Sequence, residues 1–164
     1  MRLPIPASDP FRHMQWADAQ IWHTVLAAPA ACADPAFRER LHHLHLCQWA
    51  FLLMWRGEPL EPLEGEAPEL PQLMAWARQY YAELDTYLAD IAPKDLEVPL
   101  EMQWTGEDQC PPTVAETFVQ VTSHATHHRG QLCTLLREAG ATPPSVDFIT
   151  WVWHHKPGPD WPVP

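Results

Sequence analysis

The chain has 164 residues, with 21 acidic against 10 basic side chains and a formal net charge of −11. That length suits a single domain over residues 1–164, and so acidic a surface repels phosphate backbones and anionic lipid headgroups, which argues against nucleic acid or a membrane surface as partner. No window reaches the ~18 uninterrupted apolar residues of a membrane span, the start "MRLPIPASDPFRH" carries no leader-like apolar core, and Cys32, Cys47, Cys110 and Cys133 form no C-x-x-C pair. The expected setting is therefore reducing, intracellular and cytoplasmic.

Proline breaks a helix interior, so the proline-free windows at 11–28, 36–58, 72–92, 113–142 and the shorter 145–156 predict four long helices and a short fifth. In the first, Met14, Asp18, Ile21 and Val25 share one face, which places a carboxylate among apolar side chains. The second, "FRERLHHLHLCQWAFLLMWRG", is apolar almost all round and is followed by the proline-rich "EPLEPLEGEAPELP". The third carries a continuous stripe of Leu73, Trp76, Ala77, Tyr80, Leu84, Tyr87, Leu88 and Ile91. The stretch "DLEVPLEMQWTGEDQCPP" is too long for a tight turn; its weak alternation at Leu96, Val98, Leu100 and Met102 predicts a crossover with short extended pieces. Thr113 with Glu116 forms a capping box that opens the fourth helix, and Gly140 closes it. Asp147, after Ser145, reads as a cap on the last helix. The fold class is all-α: a four-helix bundle with a long crossover between helices three and four and a short C-terminal helix.

The fourth helix contains "HATHHRGQL", residues 124–132. At about 100° per residue, His128 falls with Val121, Leu132 and Leu135, His124 lies at the edge of that apolar face, and His127 turns toward Glu116, Gln120, Thr134 and Glu138. Two inward imidazoles at i and i+4 form a chelating pair for a metal with bonds of ~2.0–2.1 Å. A third ligand has to come from the second helix, where the wheel leaves His42, His43 and His45 open. Cys47, one turn after His43, has the spacing of a fourth ligand, although a cysteine in an apolar helix usually serves as a small hydrophobe.

The chain resembles the DinB-like, or damage-inducible, four-helix-bundle family, which includes bacillithiol transferases. The resemblance is carried by "WADAQIWHTVL" from Trp16, "LHHLHLCQWAFLLMWRG" ending at Gly57, "VTSHATHHRGQLCTLLREAG" ending at Gly140 and "TPPSVDFITWV" from Thr142. Counting back from Gly57 selects His43, so the resemblance implies that His43, His124 and His128 hold one divalent ion such as zinc or nickel, with a position left open. It departs from the family pattern at Asp18, Phe51 and Trp151, where asparagine, tryptophan and tyrosine are usual. Arg129, Gly130 and Gln131 match; the residues themselves suggest an acidic partner for Arg129 and close helix packing at Gly130.

Such a site can hold a thiol as the more nucleophilic thiolate or acidify a water, which points to a metal-dependent thiol S-transferase with a low-molecular-weight thiol as its small-molecule substrate. A metal-dependent hydrolase is the alternative enzyme, and a non-catalytic ligand-binding or sensing protein or a structural site is the alternative class. Hydrolysis wants a general base, for which Asp18 is the candidate catalytic residue; orienting a ligand histidine or pairing with an arginine are its competing roles. Because Trp49, Leu52, Leu53 and Trp55 cannot all face a single core, a homodimer through helix two or the tryptophan-rich tail is expected. Wrapping of the 59–71 segment and the tail over helix two is the competing arrangement.

Overall fold

The computed structural model describes residues 8–63, 65–102, 104, 106 and 108–163. The long helices are α1 (Asp9–Leu26), α3 (Pro35–Arg56), α4 (Leu70–Asp90) and α5 (Val114–Glu138), with a short α2 (Pro29–Ala33) between the first two and α6 (Phe148–Trp153) near the end. α1, α3 and α4 begin slightly before their proline-free windows, because Pro10, Pro35 and Pro71 occupy their first turns, and Pro29 opens α2. A proline is tolerated there, since the missing N–H would have had no helical partner. The same effect accounts for α2, which the window pattern did not anticipate.

Thr113 and Glu116 form the expected capping box on α5. Gly57 and Gly140 follow α3 and α5 with φ of 68° and 78°, the left-handed conformation that ends a helix and that glycine adopts at little cost. The crossover contains a 3-10 turn at Pro93–Glu97 and one antiparallel bridge between Pro99 and Thr113, in which the Leu100 N–H donates to the Pro112 carbonyl at 2.7 Å. Leu96 and Leu100 pack on the core while Val98 faces outward, so the alternation is real even though no strand forms among the described residues.

α5 packs on both α3 and α1, and α3 packs also on α4. Trp49, Leu52, Leu53 and Trp55 are all buried within the one chain, which corrects the expectation that a single core could not cover them. Trp49 stacks on Trp76 and Trp55 on Tyr87, both from α4, and Phe118 of α5 meets Trp55 edge-on. Leu63 and Trp161 also pack against this core, so part of the 59–71 segment and of the tail does wrap onto the bundle. A second, smaller cluster seats Trp151 of α6 on Trp16 and Ala17, with Lys156 paired to the buried Asp9 at 2.6 Å.

At the centre of the bundle each long helix contributes at least one polar side chain. Asp18 of α1 accepts from Arg129 of α5 at 2.8 Å, from Gln48 of α3 at 2.8 Å and from Tyr81 of α4 at 2.5 Å. Gln48 accepts in turn from His45 at 2.8 Å, and His45 accepts from the Trp22 indole at 3.0 Å. A buried charge pair is tolerated when its remaining lone pairs and protons find partners; this network draws partners from four elements at once and leaves Arg129 Nε without one. Arg129 is thereby fixed, and with it the stretch of α5 that carries His128.

Candidate metal centre

The α3 and α5 faces that meet bring the ligand atoms of His43, Cys47 and His124 together, and His128 joins this group through its contact with His124. His124 and His128 lie one turn apart on α5, and their Nε2 atoms are 3.1 Å from each other. His43 and Cys47 lie one turn apart on α3, with Cys47 Sγ 3.6 Å from His43 Nε2. Ligand atoms of His43, Cys47 and His124 all fall within 4.8 Å of one another, and the His43 ring centroid is 4.5 Å from that of His128. His128 is buried, His124 and Cys47 are half-buried and His43 is exposed, so the cluster opens to the surface over the rim formed by His43.

Burial lowers the basicity of all three histidines, because a charged imidazolium loses solvation there. His128 falls furthest, to about 4, with His124 and His43 as additional depressing charges; Arg40 acts in the same direction on His43 and His128. Each imidazole is therefore held neutral near pH 7, the form that ligates a metal. The Cys47 thiol is pushed up by burial in the absence of an ion. Three imidazole nitrogens and a sulfur suit zinc, nickel or copper rather than the oxygen-seeking magnesium or calcium, so the donor set fits a borderline-soft divalent ion.

Gln131 orders the α5 half of the cluster. Its Oε1 lies 2.7 Å from His128 Nδ1, and its Nε2 lies 3.0 Å from His127 Nε2. With the amide donating to His127, the carbonyl accepts the Nδ1–H of His128 and leaves His128 Nε2 as a lone pair directed at His124. The sequence motif included Gln131, but only its i+3 spacing from His128 hinted at this use.

The remaining histidines have other surroundings. Both ring nitrogens of His45 are engaged inside the core, by Trp22 and Gln48. His42 lies against Trp76 at a ring separation of 5.8 Å, and exposed His127 contacts Gln131 and meets the His128 ring edge-on at 5.2 Å without joining the group of ligand atoms. Asp18 lies in the central network, and none of His43, His124 and His128 is among its hydrogen-bond partners; pairing with an arginine is the one of its three suggested roles for which the bonds are present. Gly130 is exposed, and a Cβ there would meet nothing within 4 Å, so close helix packing is not the reason for it. Gln48 and Tyr81, which complete the environment of Asp18, were not anticipated as polar core residues.

Fold and cluster together define an all-helical bundle protein in which two long helices converge on a histidine and cysteine group able to hold a metal ion. A sequence profile of the DinB family matches residues 7–158, and the chain belongs to that family. It is similar to Protein DinB of Bacillus subtilis (strain 168), with 23% identity over 160 residues that cover 89% of this chain and 93% of that protein. Among the described residues no helix is long and apolar enough to cross a membrane.

Proposed function

We propose that the protein is a divalent-metal-dependent enzyme of thiol S-transferase type, with His43, His124 and His128 as ligands to one zinc or nickel ion. The observation that carries this reading is the convergence of neutral imidazoles at a surface-opening cluster, with the His124 and His128 Nε2 atoms 3.1 Å apart and His128 oriented by Gln131. A divalent ion held there would stabilise a bound thiol as its thiolate near neutral pH. The chain then has to hold the imidazoles neutral, present the site to solvent past His43 and keep α5 in register. Asp18 and Arg129 contribute to the last task through the stability of the bundle core, without a hydrogen bond to any of the three histidines.

The hydrolase reading is weaker because the carboxylate put forward as its base, Asp18, already accepts from three donors in the buried core. Thiolate attack on an electrophile asks for no such base. The proposal includes a small-molecule thiol as substrate and a homodimer. With α3 covered internally, the apolar surface proposed for a second copy is the exposed face of α6, where Phe148, Ile149 and Trp153 are accessible.

The test is a screen of the zinc-loaded protein with low-molecular-weight thiols and a chromogenic electrophile such as a halonitrobenzene. Thiol-dependent conjugation that disappears on chelation and returns with zinc supports the reading. Hydrolysis of ester or amide probes without any thiol transfer would overturn it.

A further inference from the structure

The three-histidine description leaves out the fourth side chain of the cluster. Cys47 Sγ is 3.6 Å from His43 Nε2 and belongs to the group of ligand atoms within 4.8 Å of one another. Bonds of about 2.0–2.1 Å to nitrogen and about 2.3 Å to sulfur set the edges of a tetrahedron at about 3.6 Å between nitrogen and sulfur and about 3.3 Å between two nitrogens. The Cys47–His43 separation matches the first, and the His124–His128 separation of 3.1 Å is close to the second. The other three cysteines are placed differently: Cys32 and Cys110 are exposed outside the cluster, and Cys133 is buried on α5 away from it. Helical phase explains why Cys47 alone is suitable, since a residue one turn after His43 presents its side chain beside that imidazole.

We infer that Cys47 is a further ligand of the ion proposed for His43, His124 and His128, so that the resting centre of this chain is a closed set of three nitrogens and one sulfur. The inference rests on the three-histidine reading and changes what that site does. On coordination the Cys47 S–H bond breaks and its proton leaves to solvent; no electrons are transferred. A substrate thiol entering the site exchanges with Cys47. Its own S–H bond would break and its proton would pass to Cys47 Sγ, which would return to the thiol form. One thiol replaces another without change in the number of bound protons, so the exchange calls for no separate general base. Cys47 thus acts as the stopper of the site and as its proton acceptor.

Cobalt(II) substitution of the full chain tests this. Wild-type protein carrying one equivalent of cobalt is expected to show a near-ultraviolet sulfur-to-cobalt charge-transfer band. Cys47→Ala and Cys47→Ser are expected to bind the same equivalent with the band lost and with wild-type helicity by circular dichroism. In parallel, iodoacetamide labelling followed by peptide mapping should show Cys47 protected in the zinc-loaded protein relative to the stripped protein, with Cys32 and Cys110 labelled equally in both. Stoichiometric cobalt with no sulfur band in the wild type, or a band that survives Cys47→Ala, overturns the inference and leaves the three-histidine site standing. Failure of the wild type to bind cobalt at all removes the three-histidine reading and the inference with it.

Discussion

Asp18→Ala separates a structural carboxylate from a catalytic one. The substitution removes the acceptor of three hydrogen bonds and leaves Arg129, 1% exposed, without its counter-charge. Removing one partner of a buried ion pair costs about 3–5 kcal/mol. For a chain of this size each kcal/mol moves the melting temperature by about 2–4 °C, so Asp18→Ala is expected to lower it by about 6–20 °C. The assay is thermal unfolding followed by circular dichroism, with zinc content of the folded protein measured below the transition. A double variant, Asp18→Leu with Arg129→Met, takes out both charges and is expected to recover most of the loss, because an apolar pair of similar volume carries no desolvation penalty. Zinc content should stay stoichiometric in both variants while they remain folded. A melting temperature within about 2 °C of wild type, combined with loss of zinc or of thiol transfer, would refute the reasoning and return Asp18 to the site.

Other consequences are equally direct. Gln131→Ala removes the acceptor at His128 Nδ1, and zinc affinity measured by chelator competition should weaken by roughly 10–100-fold, the usual cost of losing a partner that orients a ligand histidine. His127→Ala leaves zinc stoichiometry unchanged, since His127 contacts Gln131 and stands outside the cluster. For pH, His45 and His13 are both lowered from 6.5, chiefly by burial, so the unfolded chain binds more protons than the folded one below that pH. The stability of the metal-stripped protein is therefore fully present above about pH 6.5 and declines as pH falls below it; a melting temperature that rises from pH 7 to pH 5 would contradict this. Static light scattering at micromolar concentration should give twice the 18.8 kDa chain mass, with Trp153→Ser shifting it toward the monomer; a wild-type mass equal to that of one chain removes the dimer from the proposal.

Much of the fold was legible because prolines and apolar period speak about the same boundaries. The α4 stripe appears as a buried row at Leu73, Ala77, Tyr80 and Leu84, and the capping box at Thr113 is present. On α5, helical phase distinguished the buried His128 and half-buried His124 from the exposed His127, since that difference is a property of a single helix. On α3 the phase had nothing to contrast, because the apolar residues Leu44, Leu46, Trp49, Ala50, Phe51, Leu52 and Met54 are spread around nearly the whole circumference. Which of His42, His43 and His45 meets α5 depends on how two helices are docked, and that is a tertiary fact. The covering of helix two was misjudged for a related reason: composition shows how much apolar surface a helix has, but not that α4 brings Trp76 and Tyr87 to stack on it. Gln48, Tyr81 and Gln131 were missed because a buried amide or phenol is recognised by its partners, and those come from other helices or from a side chain one turn away.

The central claim is that three particular histidines hold one divalent ion. Its most direct measurement is the metal content, by inductively coupled plasma mass spectrometry, of the protein as purified and of His43→Ala, His124→Ala, His128→Ala and His45→Ala, each verified as helical. The account predicts one equivalent of zinc or nickel in the wild type, its loss in the first three variants, and its retention in His45→Ala, whose ring nitrogens are occupied by Trp22 and Gln48 and whose cost falls on stability. Retention of the ion in His43→Ala together with its loss in His45→Ala would contradict the account.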